Sequence, residues 1–496
     1  MGKARVKRVG LGIAISAIGC MSIIALILTL SQHHTLELPL NTQYGMVFDA
    51  GSSHTALFIY KWPGNKENNT AIVSQALLCD VEGGGISSYK QNPLAAGQSL
   101  RKCLDVAKAT IPAKQHGTSP VYLGATAGMR LLKLQDQAAS DQILEEVRKA
   151  IQAYPFNFQG ARILSGKEEG AYGWITINYL METLIKHSFE GRWVLPKDSR
   201  VIGSMDLGGA STQISFTPSG PIRDPGTAEI LQLYGKKYDL YSHSYLCYGK
   251  DQALKIAQAY LVQAGRPGTI NHPCYHLGYN QTLTMGDLYN SPCVNKPTGF
   301  DPSTNLTFVG TGEPNQCSNL MLNIINVSTC SLSPDCGFNG VYQPPVNGIF
   351  FAFSAYFYTF DFLGLAPQAP LPKVTLSIES FCNKTWKTLL TEYPKTPEKY
   401  LREYCASAQY IMNVLLQGYK FNQSWDKIFF QKQVADTDIG WTLGYMLNLT
   451  NLIPSESPIT VTGLQRGQWV AEVFFIAFVL FLTIVLLSVV LTLDLS

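Results

Sequence analysis

The chain has 496 residues, which is enough for two or three domains of ordinary size. Its 38 basic and 35 acidic residues leave a formal net charge of +3 at neutral pH. A balance this even excludes a polycationic nucleic-acid-binding protein, and we expect no nucleic-acid partner.

Two runs without charged residues, Val9–Leu30 and Val473–Leu493, lie near the two ends of the chain. Each holds the roughly 20 apolar residues that cross a bilayer, so we predict membrane-spanning helices at 9–30 and 470–493. Four basic residues precede the first run and favour a cytoplasmic N-terminus. The alternative is a cleaved signal peptide, but the run exceeds the usual length of about 7–15 residues. Two uncleaved spans place the tails, 1–8 and 494–496, in the cytoplasm.

The segment between the spans has two features of a secreted domain. It contains seven N-glycosylation sequons. It also contains ten of the eleven cysteines, since only Cys20 lies outside it. The sequons start at Asn68, Asn280, Asn305, Asn326, Asn383, Asn422 and Asn448. Ten cysteines in an oxidising compartment predict five disulfides, and their spacing resembles no zinc site.

Strand-like runs alternate with helical runs between two stalk-like stretches at 32–43 and 453–468, which predicts an α/β architecture. A strand pair flanks a turn of small residues that starts at Asp49, and a second pair flanks a similar turn that starts at Asp206. The wide separation of these two passages indicates a duplicated domain. Residues 240–340 are interpreted as a disulfide-stapled insertion with few helices.

The two turns, Asp49–Thr55 and Asp206–Gln213, have the composition of a phosphate site. Small residues let backbone N–H groups approach an anion, and serine and threonine hydroxyls add donors. The Asp at the start of each turn can hold a metal ion or its waters. Either turn alone could be an ordinary hairpin, but the matched pair favours a site.

Two further motifs lie where helices are predicted to begin. Gly124–Arg130 follows a strand-like run, so its small residues indicate either an anion cradle or close packing. Ser165 and Glu168 fit a capping box, which gives Glu168 a structural role. Glu169 has no such role and is the candidate general base, the alternative being a second solvated acid at the helix start. Arg130 and Lys167 lie beside helix starts, and we expect them to point to solvent.

The segment Asp436–Met446 forms a last compact motif, in which Trp441 and two glycines either line a phosphate cleft or pack a helix onto the first domain. The run Gly83–Gly85 is too generic to interpret.

Taken in order, five segments resemble the conserved regions of the ecto-nucleoside triphosphate diphosphohydrolases, or apyrases, particularly the plasma-membrane members and their type-eight subfamily. The segments are DAGSSHT, GATAGMR, SGKEEGAYGW, MDLGGASTQ and DIGWTLGYMLN. The resemblance covers nearly the whole chain and implies an actin-like ectodomain of two RNase-H-like lobes with the site between them. The implied lobes are lobe I, 31–165 with the returning segment 432–465, and lobe II, 166–431, which includes the insertion.

The same resemblance implies a role for each site residue. Glu169 is the catalytic base, and Asp49 and Asp206 organise the water shell of Ca²⁺ or Mg²⁺. Trp441 lines the site, and Tyr358 and Tyr400 flank the base, Tyr400 standing where some members have Arg. The phosphate contacts are Ser52, Ser53, His54, Thr126, Ala127, Gly208, Gly209, Ala210, Ser211 and Gln213. The implied disulfides are Cys79–Cys103, Cys247–Cys293, Cys274–Cys317, Cys330–Cys336 and Cys382–Cys405.

The resulting hypothesis is an ectoenzyme of the plasma membrane that hydrolyses extracellular nucleoside tri- and diphosphates to monophosphates and so modulates purinergic signalling. We expect nucleotide substrates, a divalent metal, and contact with the bilayer through two helices. The same two helices could also pair with those of another copy to form a homo-oligomer. Two alternatives remain open: a nucleoside diphosphatase of an organelle lumen, and a non-catalytic nucleotide-binding surface glycoprotein.

Overall fold

A computed structural model describes residues 2–31, 35–37, 41–188, 192–197, 200–264, 269–330, 335–453, 455, 460–462 and 466–495. The chain divides into two compact units, residues 1–41 with 456–496, and residues 42–455. Much of both predicted stalks lies outside the described residues.

The first unit consists of the two terminal helices, Gly2–Ser31 and Arg466–Leu495, and a two-stranded pairing of Thr35–Glu37 with Thr460–Thr462. Within these helices, Val9–Leu30 and Gly467–Thr492 are long and apolar enough to cross a membrane. The helices contact each other at small residues, since a Cβ on Gly19 would lie 3.5 Å from the Thr483 hydroxyl. Helices in lipid associate through such close backbone approach.

The second unit contains two sheets that share one topology. In the first sheet, three antiparallel strands are followed by two parallel ones, in the order Ser74–Val81, Thr55–Pro63, Thr42–Ala50, Pro120–Ala125, Asn157–Ile163. The second sheet repeats this order with one extra edge strand, as Ala228–Leu233, Lys236–Leu246, Ser211–Phe216, Gly203–Leu207, Phe350–Ser354, Ile428–Phe430. The duplication predicted from the two turns is therefore present as a repeated sheet.

Both faces of the first sheet are buried because its strands alternate between two apolar clusters. Met46 and Phe48 point into a cluster with Leu57 and Ile59, whereas Val47 lies in a second cluster with Trp441. This period of two is the ordinary consequence of strand geometry. It places successive residues of one strand under two different helical layers.

Helices cover both sheets. Their bounds are Pro93–Ser99, Arg101–Thr110, Ala127–Gln135, Gln137–Gln152, Gly166–Leu180, Lys250–Ala264, Met285–Tyr289, Pro314–Ile324, Ala355–Phe362, Leu371–Cys382, Trp386–Glu392, Glu398–Leu401, Tyr404–Asn413 and Trp441–Thr450. Gly166–Leu180 packs on the second sheet, while Trp441–Thr450 packs on the first and against Gly166–Leu180. The exact lobe boundaries stay a prediction.

The insertion differs from the sequence expectation. A three-stranded sheet of Thr269–His272, Asn305–Gly310 and Asn280–Thr284 lies there, but two substantial helices, Lys250–Ala264 and Pro314–Ile324, lie there as well. The expectation of few helices was wrong, and the second helix buries one regular face made of Cys317, Leu320, Met321 and Ile324. The five disulfides in the structure are the five pairs implied by the family resemblance.

Candidate active site

The first turn joins Thr42–Ala50 to Thr55–Pro63 and lies beside the parallel strand Pro120–Ala125, with Asp49 opposite Gly124. Ser53 and His54 are exposed at its tip. Gly85 lies beneath it, where a Cβ would come within 2.3 Å of the Gly51 carbonyl oxygen. The glycine run that the sequence left uninterpreted is thus needed for close packing under the turn.

The second turn is held from behind by the start of the helix Lys250–Ala264. The backbone N–H groups of Lys250 and Asp251 donate to the carbonyl oxygens of Gly208 and Gly209, at 2.8 and 2.9 Å. In a trans peptide the C=O and the next N–H point in opposite directions. The N–H groups of Gly209 and Ala210 therefore point away from this helix, as an anion site requires.

The two turns face each other. A Cβ on Gly209 would lie 2.8 Å from the Ser52 Oγ, so the hydroxyl of the first turn reaches the backbone of the second. Thr126 adjoins the first turn, because its N–H donates to the Ala50 carbonyl oxygen at 3.1 Å and it precedes the helix that begins at Ala127. The predicted phosphate contacts of the two hairpins and the helix start thus lie around one cleft; their roles stay predictions.

Glu169 is buried in the first turn of the helix Gly166–Leu180, directly after the capping box formed by Ser165 and Glu168. The predicted capping box is confirmed. Glu168 also pairs with Arg162 at 2.9 Å, which occupies that side chain on the outside of the site. Of the two adjacent acids, Glu169 is therefore the one available for chemistry.

Arg130 is the main correction to the sequence reading. Its Nη2 donates to the Glu169 Oε2 at 2.6 Å and to the Ser211 Oγ at 3.1 Å. The expectation that Arg130 points to solvent was wrong, because the helix Ala127–Gln135 directs it between the two hairpins. Lys167 does point away from the site, to the Ala228 carbonyl oxygen and the Glu229 carboxylate.

Gln213 completes the polar network around the candidate base. Its Nε2 lies 3.2 Å from the Glu169 Oε2, 2.7 Å from the Ser211 Oγ and 2.9 Å from the Ser244 Oγ. Ser244 pairs with Gln213 across neighbouring strands. Sequence reasoning missed Ser244, since only strand register reveals this contact.

Asp49 and Asp206 are carboxylates whose surroundings disfavour the charged form. Burial, helped by repulsion from Glu169, raises the pKa of Asp49 to about 8 and the pKa of Asp206 to about 7. Burial also raises the pKa of Glu169, although the Arg130 ion pair opposes that rise. Three acids that share a cleft need a positive charge to ionise together.

The donor set fits a hydrated divalent cation. The Oδ1 atoms of Asp49 and Asp206 are both buried and have no hydrogen-bond partner within the described residues. Among those residues no group of three His, Cys, Asp or Glu side chains could hold a metal directly. Two orphaned carboxylate oxygens without a direct ligand cluster suit contacts made through water, which Ca²⁺ and Mg²⁺ both retain.

Two further side chains lie near these carboxylates. Trp441 opposes the rise in the pKa of Asp49, and its ring packs so closely on Gly124 that a Cβ there would lie 2.4 Å from it. Trp441 thus both borders the cleft and packs its helix on the first sheet. Ser354, which the sequence did not single out, opposes the rise in the pKa of Asp206, and its backbone has a φ of 57°. A positive φ in a non-glycine residue is strained, and such strain clusters at functional sites.

A cavity of about 330 Å³, which we call the tyrosine pocket, adjoins the second turn. It is lined by Lys250, Ala355, Tyr358, Thr359, Tyr400, Glu403, Tyr404 and Ser407. The structure therefore brings together Tyr358 and Tyr400, which both expose their rings and come from different helices. Lys399 lies over the ring of Tyr400, 4.5 Å from its centroid.

Comparisons with known proteins agree with this geometry. Residues 35–462 match the model of the GDA1/CD39 (nucleoside phosphatase) family. The chain is 49% identical to ectonucleoside triphosphate diphosphohydrolase 8 of Rattus norvegicus over 95% of each protein, and 50% identical to that of Gallus gallus over 92% of each. It is 46% identical to ectonucleoside triphosphate diphosphohydrolase 2 of Rattus norvegicus over 90% of each.

One solved structure supports the fold. A nucleoside triphosphate hydrolase from Neospora caninum superposes with a TM-score of 0.62 at 16% identity, covering 88% of this chain and 96% of that one. The predicted α/β fold class, enzyme class and family are confirmed. The chain belongs to the GDA1/CD39 (nucleoside phosphatase) family.

Proposed function

We propose that this protein hydrolyses nucleoside triphosphates and diphosphates stepwise to monophosphates, releasing phosphate at each step. The observation that carries the proposal is the convergence of two phosphate-type turns on one buried acid, Glu169. The relatives of high identity bear names that describe the same reaction.

The chain's own residues account for each part of an in-line attack by water. The N–H groups of the second turn and the hydroxyls of both turns hold the transferring phosphoryl group. Glu169 accepts the proton of the attacking water. Arg130 and Gln213 hold the Oε2 of Glu169, which leaves its Oε1 for that water.

A divalent cation, Ca²⁺ or Mg²⁺, would be held through waters by Asp49 and Asp206 and would offset the charge of the polyphosphate. The described residues of the cleft explain why a bound cation is needed. Its one cation near Glu169, Arg130, is already paired, and Lys167 points elsewhere. Among the described residues, neither Arg130 nor Lys167 therefore supplies unpaired positive charge for a substrate with roughly four negative charges.

We propose that the protein lies in the plasma membrane, with the catalytic unit outside the cell and both termini in the cytoplasm. The two apolar helices, the five disulfides and the sequons support this placement. Six sequon asparagines are exposed and Asn448 is half-buried. An antibody to residues 42–453 should stain unpermeabilised cells, and glycosidase should shrink the protein; staining only after permeabilisation would favour the organelle-lumen alternative.

The direct test of activity is phosphate release from ATP, ADP, UTP and AMP by membranes that contain the full chain, with and without EDTA. We expect release from the first three nucleotides and not from AMP, and none in EDTA. Nucleotide binding without turnover would reject the enzyme in favour of a binding glycoprotein. Substantial hydrolysis in excess EDTA would reject the role given to the metal.

A further inference from the structure

The tyrosine pocket has a polar side whose role stacking of a base between Tyr358 and Tyr400 does not explain. Aromatic rings stack on the face of any base and so give little selectivity between bases. The polar side consists of Lys250, Glu403 and Ser407, all of which line the cavity. These three side chains are the candidates for reading the hydrogen-bonding groups of the nucleoside.

Lys250 connects this pocket to the second turn but is not placed as a phosphate clamp. Its backbone N–H holds the Gly208 carbonyl oxygen, so the residue lies between the phosphate turn and the tyrosines. Its Nζ lies 2.6 Å from the Asp251 Oδ1 and 2.7 Å from the Glu403 Oε2. Two carboxylates more than neutralise its charge, so its main effect is to hold Glu403 in place.

Glu403 keeps unused acceptor capacity. A carboxylate offers about four lone-pair positions. Here the Oε2 accepts from Lys250, whereas the nearest donor to the Oε1 is Arg402, at 3.5 Å. The side chain is 20% exposed and therefore reachable from the cavity. A group with this free capacity suits a hydrogen-bond donor on a ligand.

Ser407 supplies a second, independent observation. It lies one helical turn after Glu403, and its N–H donates to the Glu403 carbonyl oxygen at 2.8 Å. The residue is only 2% exposed, and its Oγ has no hydrogen-bond partner within the described part of the chain. A buried hydroxyl without a partner is uncommon in a folded protein and beside a cavity points to a missing ligand group.

We propose that Glu403, positioned by Lys250, accepts a hydrogen bond from a donor of the bound nucleoside. The donor is a ribose hydroxyl or the exocyclic amine of an adenine or cytosine base, since both chemistries suit a carboxylate acceptor. This inference rests on the proposed nucleotide-hydrolysing function and adds a specificity-determining residue to it. A hydrogen bond to a charged group predicts a preference of about 10-fold to 100-fold for nucleotides that carry the donor.

The test compares kcat/KM of the purified full chain for ATP, 2′-deoxy-ATP, 3′-deoxy-ATP, ITP and inorganic tripolyphosphate. The deoxy substrates remove one ribose hydroxyl each, and ITP replaces the exocyclic amine by a carbonyl. The variant is Glu403→Gln, in which the amide oxygen stays on Lys250 and the NH₂ group faces the nucleoside. The matched control is Glu398→Gln, an exposed acid on the neighbouring helix Glu398–Leu401.

We expect wild type to lose at least about 10-fold on one of the three modified nucleotides, which identifies the donor. Glu403→Gln should lose as much on ATP and nothing on that modified nucleotide or on tripolyphosphate, while Glu398→Gln keeps the wild-type ratios. Equal losses on every substrate, or an unchanged ratio, would overturn the inference. Binding of a non-hydrolysable ATP analogue and its modified counterparts gives the same comparison without turnover, so failure of the proposed hydrolysis is distinguished from failure of this inference.

Discussion

Removal of Arg130 is the perturbation that most directly tests the candidate base. Arg130→Met keeps much of the side-chain volume but deletes the guanidinium that lies 2.6 Å from the Glu169 Oε2. Without the guanidinium, nothing offsets the two effects that favour the protonated form of Glu169. These are its burial and its repulsion by the carboxylates of Asp49 and Asp206. Since a general base acts only when ionised, we expect the variant to need a higher pH.

The size of the shift follows from the pair's geometry and burial. Two charges about 4 Å apart interact by about 4 kcal/mol at an effective dielectric constant near 20, and every ~1.4 kcal/mol changes the ratio of ionised to protonated acid by about 10-fold. The side chains of Arg130 and Glu169 are only 13% and 9% exposed, so solvent screens the pair little. Water that enters the space left by arginine recovers part of the energy, and we expect the pKa of Glu169 to rise and the activity near pH 7 to fall by about 10-fold or more.

The assay is the initial rate of phosphate release from ATP at saturating divalent metal, measured from about pH 5.5 to about pH 9.5. Saturating metal keeps Asp49 and Asp206 ionised, so the acidic limb of the kcat profile reports Glu169. Arg130→Met should move that limb upward and regain activity at high pH, and Arg130→Lys should move it less. An equal loss at every pH, with the limb unmoved, would refute the electrostatic role of Arg130.

Three further predictions follow from the same site. Glu169→Gln should lower kcat by about 10²–10⁴-fold while nucleotide still binds, whereas Glu168→Gln should lose only helix capping; equal losses in the two would reject the base assignment. Because the folded-state pKa values of Asp49 and Asp206, about 8 and about 7, lie above the usual carboxyl range, the folded protein binds protons that the unfolded chain has released. In EDTA the Tm should therefore fall as pH rises towards 8, and Ca²⁺ should restore it; a flat profile would contradict the burial of these charges. Ser354→Gly should raise the Tm relative to Ser354→Ala, by relieving a positive φ, yet both should need more metal for half-maximal activity; full activity in the glycine variant would make the hydroxyl dispensable.

The sequence by itself determined the features that depend on local pattern. The two long apolar runs, the two Asp-started turns and the capping box at Ser165 are each encoded within about 20 consecutive residues, so the physics that forms them is visible in one segment. The repeated turn also predicted the repeated sheet. The disulfide pairing could come only from the family resemblance, because ten cysteines allow many pairings with similar spacing.

The tertiary structure alone decided how these segments meet. Arg130 and Glu169 lie on different helices, and their contact depends on how two sheets approach, which no periodicity reveals. Ser244 reaches Gln213 through strand register, and Ser354 reaches Asp206 through a parallel strand far along the chain. Side-chain direction is set by packing against distant elements, so a sequence can name the acids and glycines of a site but not which cation neutralises which acid.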